Sequence, residues 1–452
     1  MIRKLLRKVF RRPESGVLPG PARIAATQHG IANEGFSPFA CKVCTVLQEN
    51  GHSAYIVGGA VRDLLTGHPP KDFDVATSAT PEEVRTLFRR SRIIGRRFKI
   101  VHVMSGRETI EVSTFRAMHD DTVAQTDEHG RVLRDNVYGN QAEDATRRDF
   151  TANALYYDPS SETIIDYHHG VADIRQKTLR MIGDPRSRYR EDPVRMLRAI
   201  RFAAKLDLVI APEARQPIRE MAQLLDNVPA ARVFDEMLKL LFSGHAVKCV
   251  KQLREEGLHH GLLPLLDVIL EQPMGERFVW LSLENTDERV RADKSVSPGF
   301  LFATLLWYQV LANWELRKND GEQAQPALFD AMDDVLDTQA RKLAITKRIA
   351  GDIKEVWSLQ PRFEKRVSRT PYRLIEHPRY RAAWDFLRLR AQSGEIDMAL
   401  VDWWDRFAHA GSEQREALIA DAPQSAASSP RKRRRRRTPQ AAAEVASSEV
   451  SS

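Results

Sequence analysis

Cysteine is scarce. The chain has three, Cys41, Cys44 and Cys249, too few for a disulfide framework, and Cys41-x-x-Cys44 lacks the second pair that would complete a metal site. Buried, reduced thiols in a cytoplasmic protein are expected. No run of about 18 apolar residues occurs, so no membrane-spanning helix is expected. The basic N-terminus lacks the long apolar stretch and the small-residue cleavage site of a secretory signal. Neither Gly-x4-Gly-Lys-Ser/Thr nor Gly-x-Gly-x-x-Gly is found, so neither a P-loop nor a dinucleotide-binding turn is available. The histidines form no paired cluster suited to a hydrolytic metal, and His168-His169 reads as a turn.

What is present is size and unevenly placed charge. A chain of 452 residues, 42% of them apolar, can build several globular cores. Its net charge of +8 is concentrated at the ends: residues 1–12 carry +6, residues 423–452 carry +5, and everything between sums to −3. Basic appendages on a near-neutral body suit a polyanionic partner.

The expected fold class is α+β: an N-terminal mixed α/β head followed by an all-helical neck, body and tail region. Residues 1–34 read as a flexible, partly helical basic leader. They are either a solvated arm or a weak contact with an anionic membrane surface. The head spans 35–180. It has a helix at 38–50, a strand at 54–57, a helix at 60–66, a strand at 71–75, a helix opened by Thr80-Pro81, and strands at 99–104 and 109–115. A polar loop covers 117–134, a helix starts near 143, and 154–167 is strand-rich, with a further strand at 179–182. The neck, 181–260, has helices at 192–206, 212–225, 230–243 and 246–256. The body, 261–422, is helical with loops at 315–330 and 358–372. From Pro423 the composition is that of a disordered Arg-rich tail.

The chemistry starts at Asp72-Phe73-Asp74. On a strand, i and i+2 share a face, and two adjacent carboxylates stay ionised cheaply only around a cation. Oxygen ligands in this arrangement suit Mg²⁺. Upstream, Gly58-Gly59 sits between a strand and a helix, where the backbone can approach a phosphate and the helix N-terminus attracts it. Arg62 stands one turn in. Glu111 alternates with Ile110 and Val112 on a nearby strand. Asp192 and Arg195, spaced i, i+3, would share a helix face.

Taken together, Gly58-Gly59-Ala60-Val61-Arg62-Asp63 and Lys71-Asp72-Phe73-Asp74 resemble the head of the polymerase-beta-like nucleotidyltransferases, in the branch shared by bacterial poly(A) polymerases and tRNA CCA-adding enzymes. Arg147 to Ala154 (RRDFTANA), Asp166 to Gly170 with Asp173-Ile174, and Arg190 to Phe202 (REDPVRMLRAIRF) continue the resemblance over roughly residues 45–260. It implies Asp72, Asp74 and Asp149 as catalytic residues. It further implies Gly58, Gly59, Arg62, Arg148, Asp192 and Arg195 as nucleotide contacts. Asp149 and Glu111 compete as the third carboxylate beside the metal, which would be Mg²⁺ or Mn²⁺. ATP is the implied substrate and RNA 3′ ends the implied partner. RNA-decay proteins are further candidate partners, and a monomer is expected.

Gly95 to Val103, the long polar loop with Asp135-Asn136, and the basic run Arg431 to Arg437 resemble the poly(A) branch. A CCA-adding enzyme is the alternative, and a noncatalytic RNA-binding protein the third reading. Removing residues 423–452 should therefore weaken RNA binding and leave ATP binding nearly unchanged. Seven bases neutralising phosphates of a single strand would set a log–log salt slope of about −5. RNA affinity measured against salt for both chains checks this: the truncated chain should give the flatter line.

Overall fold

The computed structural model describes residues 20–95, 99–117, 137–258, 273–340 and 344–422. The first 19 residues of the expected leader, part of the 95–103 motif, the polar loop with Asp135-Asn136, and the Arg-rich tail all lie outside the described residues.

The head is built on one mixed sheet. Its strands are Ala22–Ala25 (β1), Ala54–Val57 (β2), Asp74–Thr77 (β3), Ser91–Ile94 (β4), Ile100–Ser105 (β5), Glu108–Thr114 (β6), Leu155–Asp158 (β7) and Thr163–Asp166 (β8). They run in the order β1-β8-β7-β2-β3-β6-β5-β4. Only β3 and β6 pair in parallel, with Asp74 opposite Glu111; the other pairings are antiparallel. Helices Ala26–His29 (α1), Pro38–Glu49 (α2), Gly59–Leu65 (α3), Pro81–Leu87 (α4), Gln141–Arg147 (α5) and Gly170–Arg175 (α6) complete the head. Val43, Cys44, Leu47, Ile56, Val61, Val75, Val112 and Leu155 form its core. Thr80 and Glu83 close a reciprocal cap on α4, as do Asn140 and Glu143 on α5.

Two expectations change here. β1 falls inside the expected leader: Ala22–Ala25 pairs with the edge of β8, so residues 20–34 belong to the folded head. The strand expected at 71–75 begins only at Asp74. Val57 is its partner across the pair, and at Gly58 the β2 chain already turns away with φ +66, leaving Asp72 and Phe73 nothing to ladder with on that side.

Beyond the head come a short parallel pair, Thr178–Leu179 (β9) and Val209–Ile210 (β10), and helices Pro185–Glu191 (α7), Val194–Leu206 (α8), Pro212–Met221 (α9), Ala230–Leu241 (α10) and Ala246–Glu255 (α11). The described chain then runs through Pro273–Arg291 (α12), Pro298–Asn319 (α13), Ala324–Ala340 (α14), Lys347–Phe363 (α15), Thr370–Ile375 (α16), Tyr380–Ser393 (α17), Met398–His409 (α18) and Ser412–Ala420 (α19). One core runs continuously from Phe150 and Met181 through α8 and α10 to Trp307 and Trp357; a second gathers Trp403, Trp404 and Phe407. The loops expected at 315–330 and 358–372 shrink. Only residues 320–323 leave the helix, where Gly321 has φ +91, and α15 continues through Pro361 because buried Trp357, Gln360 and Phe363 hold its last turn. Leu328, Ala331 and Met332 are buried as well, a packing the polar sequence around them hides.

The turn after β8 carries a tight constraint. The Asp166 carboxylate accepts from the backbone N–H groups of His168, Gly170 and Val171. A Cβ at Gly170 would lie 2.2 Å from the carbonyl oxygen of Thr151, in the loop that presents Arg148 and Asp149. Gly170→Ala must push that backbone aside, and should lower the unfolding free energy by about 2 kcal/mol or more. Urea unfolding of the full chain measures it.

Candidate functional site

The candidate residues converge on one cleft between the sheet and α8. It encloses about 460 Å³ and is lined by Gly58, Gly59, Arg62, Asp74, Arg148, Asp149, Asp192 and Arg195, together with Asn153, Arg198 and Phe202. The last three were not singled out from the sequence, although each lies within a quoted motif. Arg195, Arg198 and Phe202 follow at helical spacing, the signal that could have found the latter two.

The helix N-terminus at Gly59 has no side-chain cap, so its first N–H groups are left for a ligand. Gly58 holds φ +66, and a Cβ there would come within 3.2 Å of Arg148 Nη1. Arg148 is fixed from below: Nη2 donates to Asp144 at 3.0 Å, Nε to the Tyr156 hydroxyl at 3.1 Å and Nη1 to the Asn153 carbonyl at 3.2 Å. Burial alone would raise the Asp144 carboxyl pKa, but Arg148 and the Tyr156 hydroxyl outweigh it and hold the group below its usual range.

Arg62, expected to reach a phosphate freely, is buried and already engaged. It contacts Asp63 through Nε at 2.8 Å and Asn153 through Nη1 at 2.5 Å, and stacks over Phe202 at 4.8 Å. The reason is local: Asp63 is its own neighbour, and Lys205 of α8 bonds the other oxygen of that carboxylate at 3.1 Å.

Asp149 is also buried. One oxygen accepts from the Phe150 N–H and the Asn153 amide, the other from Arg198 Nε at 2.8 Å. Burial would raise its pKa; Arg198 and Asn153 bring it below the ordinary value. Asp149 is thus neutralised by Arg198.

The acids behave differently. Asp74 stands in the cleft beside Glu111, its partner across the parallel pair, and both also line an adjoining cavity of about 280 Å³. The Asp74 carboxyl is pushed up to about 6, first by burial, then by Glu111, with Asp72 adding to the push and Arg148 opposing it. Asp74 remains open to solvent at its surface; the protein packed around it causes the desolvation. Glu111 also meets His102 Nε2 at 3.2 Å. Asp72 is exposed and precedes β3, so the same-strand-face argument does not describe it, though its charge reaches Asp74. Among the described residues, no three His, Cys, Asp or Glu side chains are gathered closely enough to hold a metal as they stand.

Asp192 and Arg195 do not share a helix face as expected. Pro193 keeps the preceding residue out of helical backbone: Asp192 is extended, with φ −148 and ψ 95, and α8 starts at Val194. One Asp192 oxygen approaches the Val194 N–H at 3.3 Å, and the other accepts from Arg232 Nη2 of α10 at 2.9 Å. Arg195 Nη1 donates to the Arg188 carbonyl at 2.8 Å and to Glu191 at 2.5 Å. Both residues still face the cleft.

Three family models match along the chain: a poly A polymerase head domain over residues 54–180, a probable RNA and SrmB-binding site of polymerase A over 207–270, and a polymerase A arginine-rich C-terminus over 320–438. Poly(A) polymerase I of Haemophilus influenzae is 46% identical over 408 residues, covering 88% of this chain and 90% of its own length. That of Salmonella typhimurium is 44% identical, with 91% and 92% covered. A CCA-adding enzyme of Geobacillus stearothermophilus is 37% identical over 243 residues, 54% of this chain and 59% of its own. Among solved structures, the Bacillus stearothermophilus CCA-adding enzyme in complex with CTP aligns with a TM-score of 0.56 at 26% identity, covering 85% of this chain and 92% of that one.

Asp149 and Asp74 should respond oppositely to truncation. Asp149→Ala leaves half-buried Arg198 with only a 3.9 Å contact to Glu236 and strands the Asn153 amide, and should cost about 1–2 kcal/mol of stability. Asp74→Ala removes a desolvated carboxylate repelled by Glu111 and Asp72, and should cost nothing or stabilise slightly. Urea denaturation of both variants beside the parent checks the contrast.

Proposed function

The chain belongs to the poly(A) polymerase family of RNA nucleotidyltransferases, and from that membership we propose that its cleft transfers AMP from ATP to RNA 3′ ends and releases pyrophosphate. The observation that carries this reading is Asp74 beside Glu111 on paired parallel strands, facing an uncapped helix N-terminus across one cleft. A CCA-adding activity is less favoured, since the relative of that name quoted above matches 54% of the chain, while the poly(A) polymerases match about nine-tenths.

Enzymes of this family act with ATP and a divalent metal ion, and the residues present fit one. Asp74, Glu111 and Asp72 bring negative charge to one region, and burial followed by repulsion from Glu111 and Asp72 lifts the Asp74 carboxyl to about 6; a hard cation with oxygen ligands relieves both. We assign Mg²⁺ or Mn²⁺ to Asp72, Asp74 and Glu111. Such an ion would favour ionisation of the RNA 3′-hydroxyl and stabilise the leaving pyrophosphate.

The protein's own groups position and hold. The N–H groups at Gly59 and beyond receive the triphosphate, with Gly58 allowing close approach. Arg148, anchored by Asp144 and Tyr156, keeps its positive charge over the phosphates. Asp192 accepts from the adenine amino group and Arg195 serves the adjacent ring nitrogen. Asp149 is a positioning residue acting through Arg198. The reading extends to a monomeric cytoplasmic enzyme, with RNA-decay proteins and a weak membrane-surface contact of the N-terminal arm as further partners; the basic termini support it.

Purified protein given metal, labelled RNA and each nucleotide singly tests the reaction. Long tails with ATP alone are expected, and Asp74→Ala should reduce them about a hundredfold or more. CTP addition to a tRNA lacking its end, or an Asp74→Ala rate within about tenfold of the parent, would overturn the proposal. Between the two rival acids, Glu111→Ala should raise the metal concentration needed for half-maximal rate, and Asp149→Ala should leave that concentration unchanged and weaken ATP use.

A further inference from the structure

A second cavity, of about 520 Å³, lies between the C-terminal half of α12, the start of α13 and the first half of α17. Its size suits a single nucleotide. Phe242 and Phe300, both half-buried, form apolar parts of its wall. Arg289, Arg381 and Arg388 ring it. Arg289 is exposed, and its guanidinium donates to one acceptor, the Ser295 carbonyl, through Nε and Nη2. Arg381 and Arg388 share a single carboxylate, Asp385, at 3.4 and 3.9 Å. Their guanidinium groups rest over buried Trp384 at 5.0 and 5.3 Å, which fixes their direction. Arg379, also in the wall, is neutralised by Asp352 and Glu355. Against the remaining three cations stand Asp385 and Glu288, so the cavity keeps a small positive surplus. The side-chain amide of Asn285, half-buried in the same wall, has no hydrogen-bond partner among the described residues.

The cavity is tied to the catalytic cleft by one rigid element. Arg232, in the first turn of α10, reaches Asp192 in the cleft, and Phe242, directly after α10, lines the second cavity. Ten residues of helix separate them, about 15 Å at the usual rise. A strand whose 3′ end occupies the cleft can therefore reach the cavity within a few nucleotides. Flat apolar faces beside guanidinium groups, with an amide for an exocyclic group, are the elements that hold unpaired RNA without reading sequence.

We propose that this cavity is a second RNA subsite, holding one unpaired nucleotide of the substrate upstream of its 3′ end: the base against Phe300 and Phe242, the phosphate on Arg289 and Arg381. The proposal rests on the RNA-tailing reading of the cleft and adds to it a fixed distance at which the enzyme grips its product. The test is the full chain carrying Arg289→Ala and Arg381→Ala together; both side chains are at the surface, and an unchanged melting temperature controls for folding. With an oligoadenylate primer of about 15 nucleotides, KM for RNA should rise about tenfold. KM for ATP, and kcat with a dinucleotide primer too short to span both sites, should not move. Equal loss with both primers, or no loss with either, would overturn the subsite. If the parent protein extends neither primer, the tailing reading has failed, and direct binding of the labelled long oligonucleotide still decides the cavity: about tenfold weaker binding by the double variant supports it, and equal binding overturns it. Release of the long RNA from the parent by free ATP, but not from the variant, would mean that the cavity takes a mononucleotide, and would also overturn it.

Discussion

Everything in the cleft depends on a ring of polar contacts that joins the head to α8. Asp63 holds Arg62; Arg62 holds Asn153; Asn153 and Arg198 hold Asp149; and Lys205, two turns along α8 from Arg198, returns to Asp63. Arg198, Arg201 and Arg62 all stand over the Phe202 ring, at 5.2, 4.3 and 4.8 Å, and Glu236 of α10 neutralises Arg201 from behind at 2.8 Å. Breaking one member leaves a charge buried without its partner, which costs more than the pair itself contributes. The ring is thus a specification of geometry: it fixes where α8 lies against the sheet, and so how far the base-facing residues stand from the acids.

The two sides of the cleft are built on opposite electrostatic principles. On the α8 side each carboxylate has a cation within hydrogen-bond distance, and Asp149 is held below its ordinary pKa. On the sheet side Asp74 is crowded by like charge and lifted to about 6. A folded protein tolerates that imbalance where an external cation completes the site. The compensated half can hold its shape without ligands; the uncompensated half gains most when metal and triphosphate arrive.

Much of this was legible in the sequence, for a physical reason. Glycine at a strand-to-helix turn and motifs in a fixed order report backbone geometry and charge directly, and eight of the candidate residues line one cleft; the spacing of Asp72 and Asp74 did not report a shared strand face, because β3 begins only at Asp74. What was hidden is what depends on partners distant in sequence. The side chains that engage Arg62 and Asp149, namely Asn153 and Arg198, come from across the fold, and the sequence gives no sign that they meet there. Asp192 and Arg195 were expected on one helix face because the helix was expected over 192–206; Pro193 restricts the residue before it and puts the helix start two residues later. β1 and β4 were missed because four-residue edge strands draw their order from the neighbour they pair with rather than from their own pattern.

That helix start bears on how a protein chooses a nucleotide without a template. A base-reading carboxylate within a helix would swing on its own rotamers. Asp192 instead stands at a junction between two helices, its backbone held extended by Pro193, one oxygen turned toward the Val194 N–H and the other bound by Arg232. Arg195 is pinned in the same way by the Arg188 carbonyl and Glu191. Both groups are fixed before any nucleotide enters. A preorganised pair presents one donor–acceptor pattern at one distance from the phosphate-binding turn. Adenine and cytosine share the pattern but not the distance, since a purine carries its pairing edge farther from the ribose. Under the base-reading role proposed for Asp192 and Arg195, this rigidity supplies what their chemistry alone lacks, a physical means of preferring ATP over CTP.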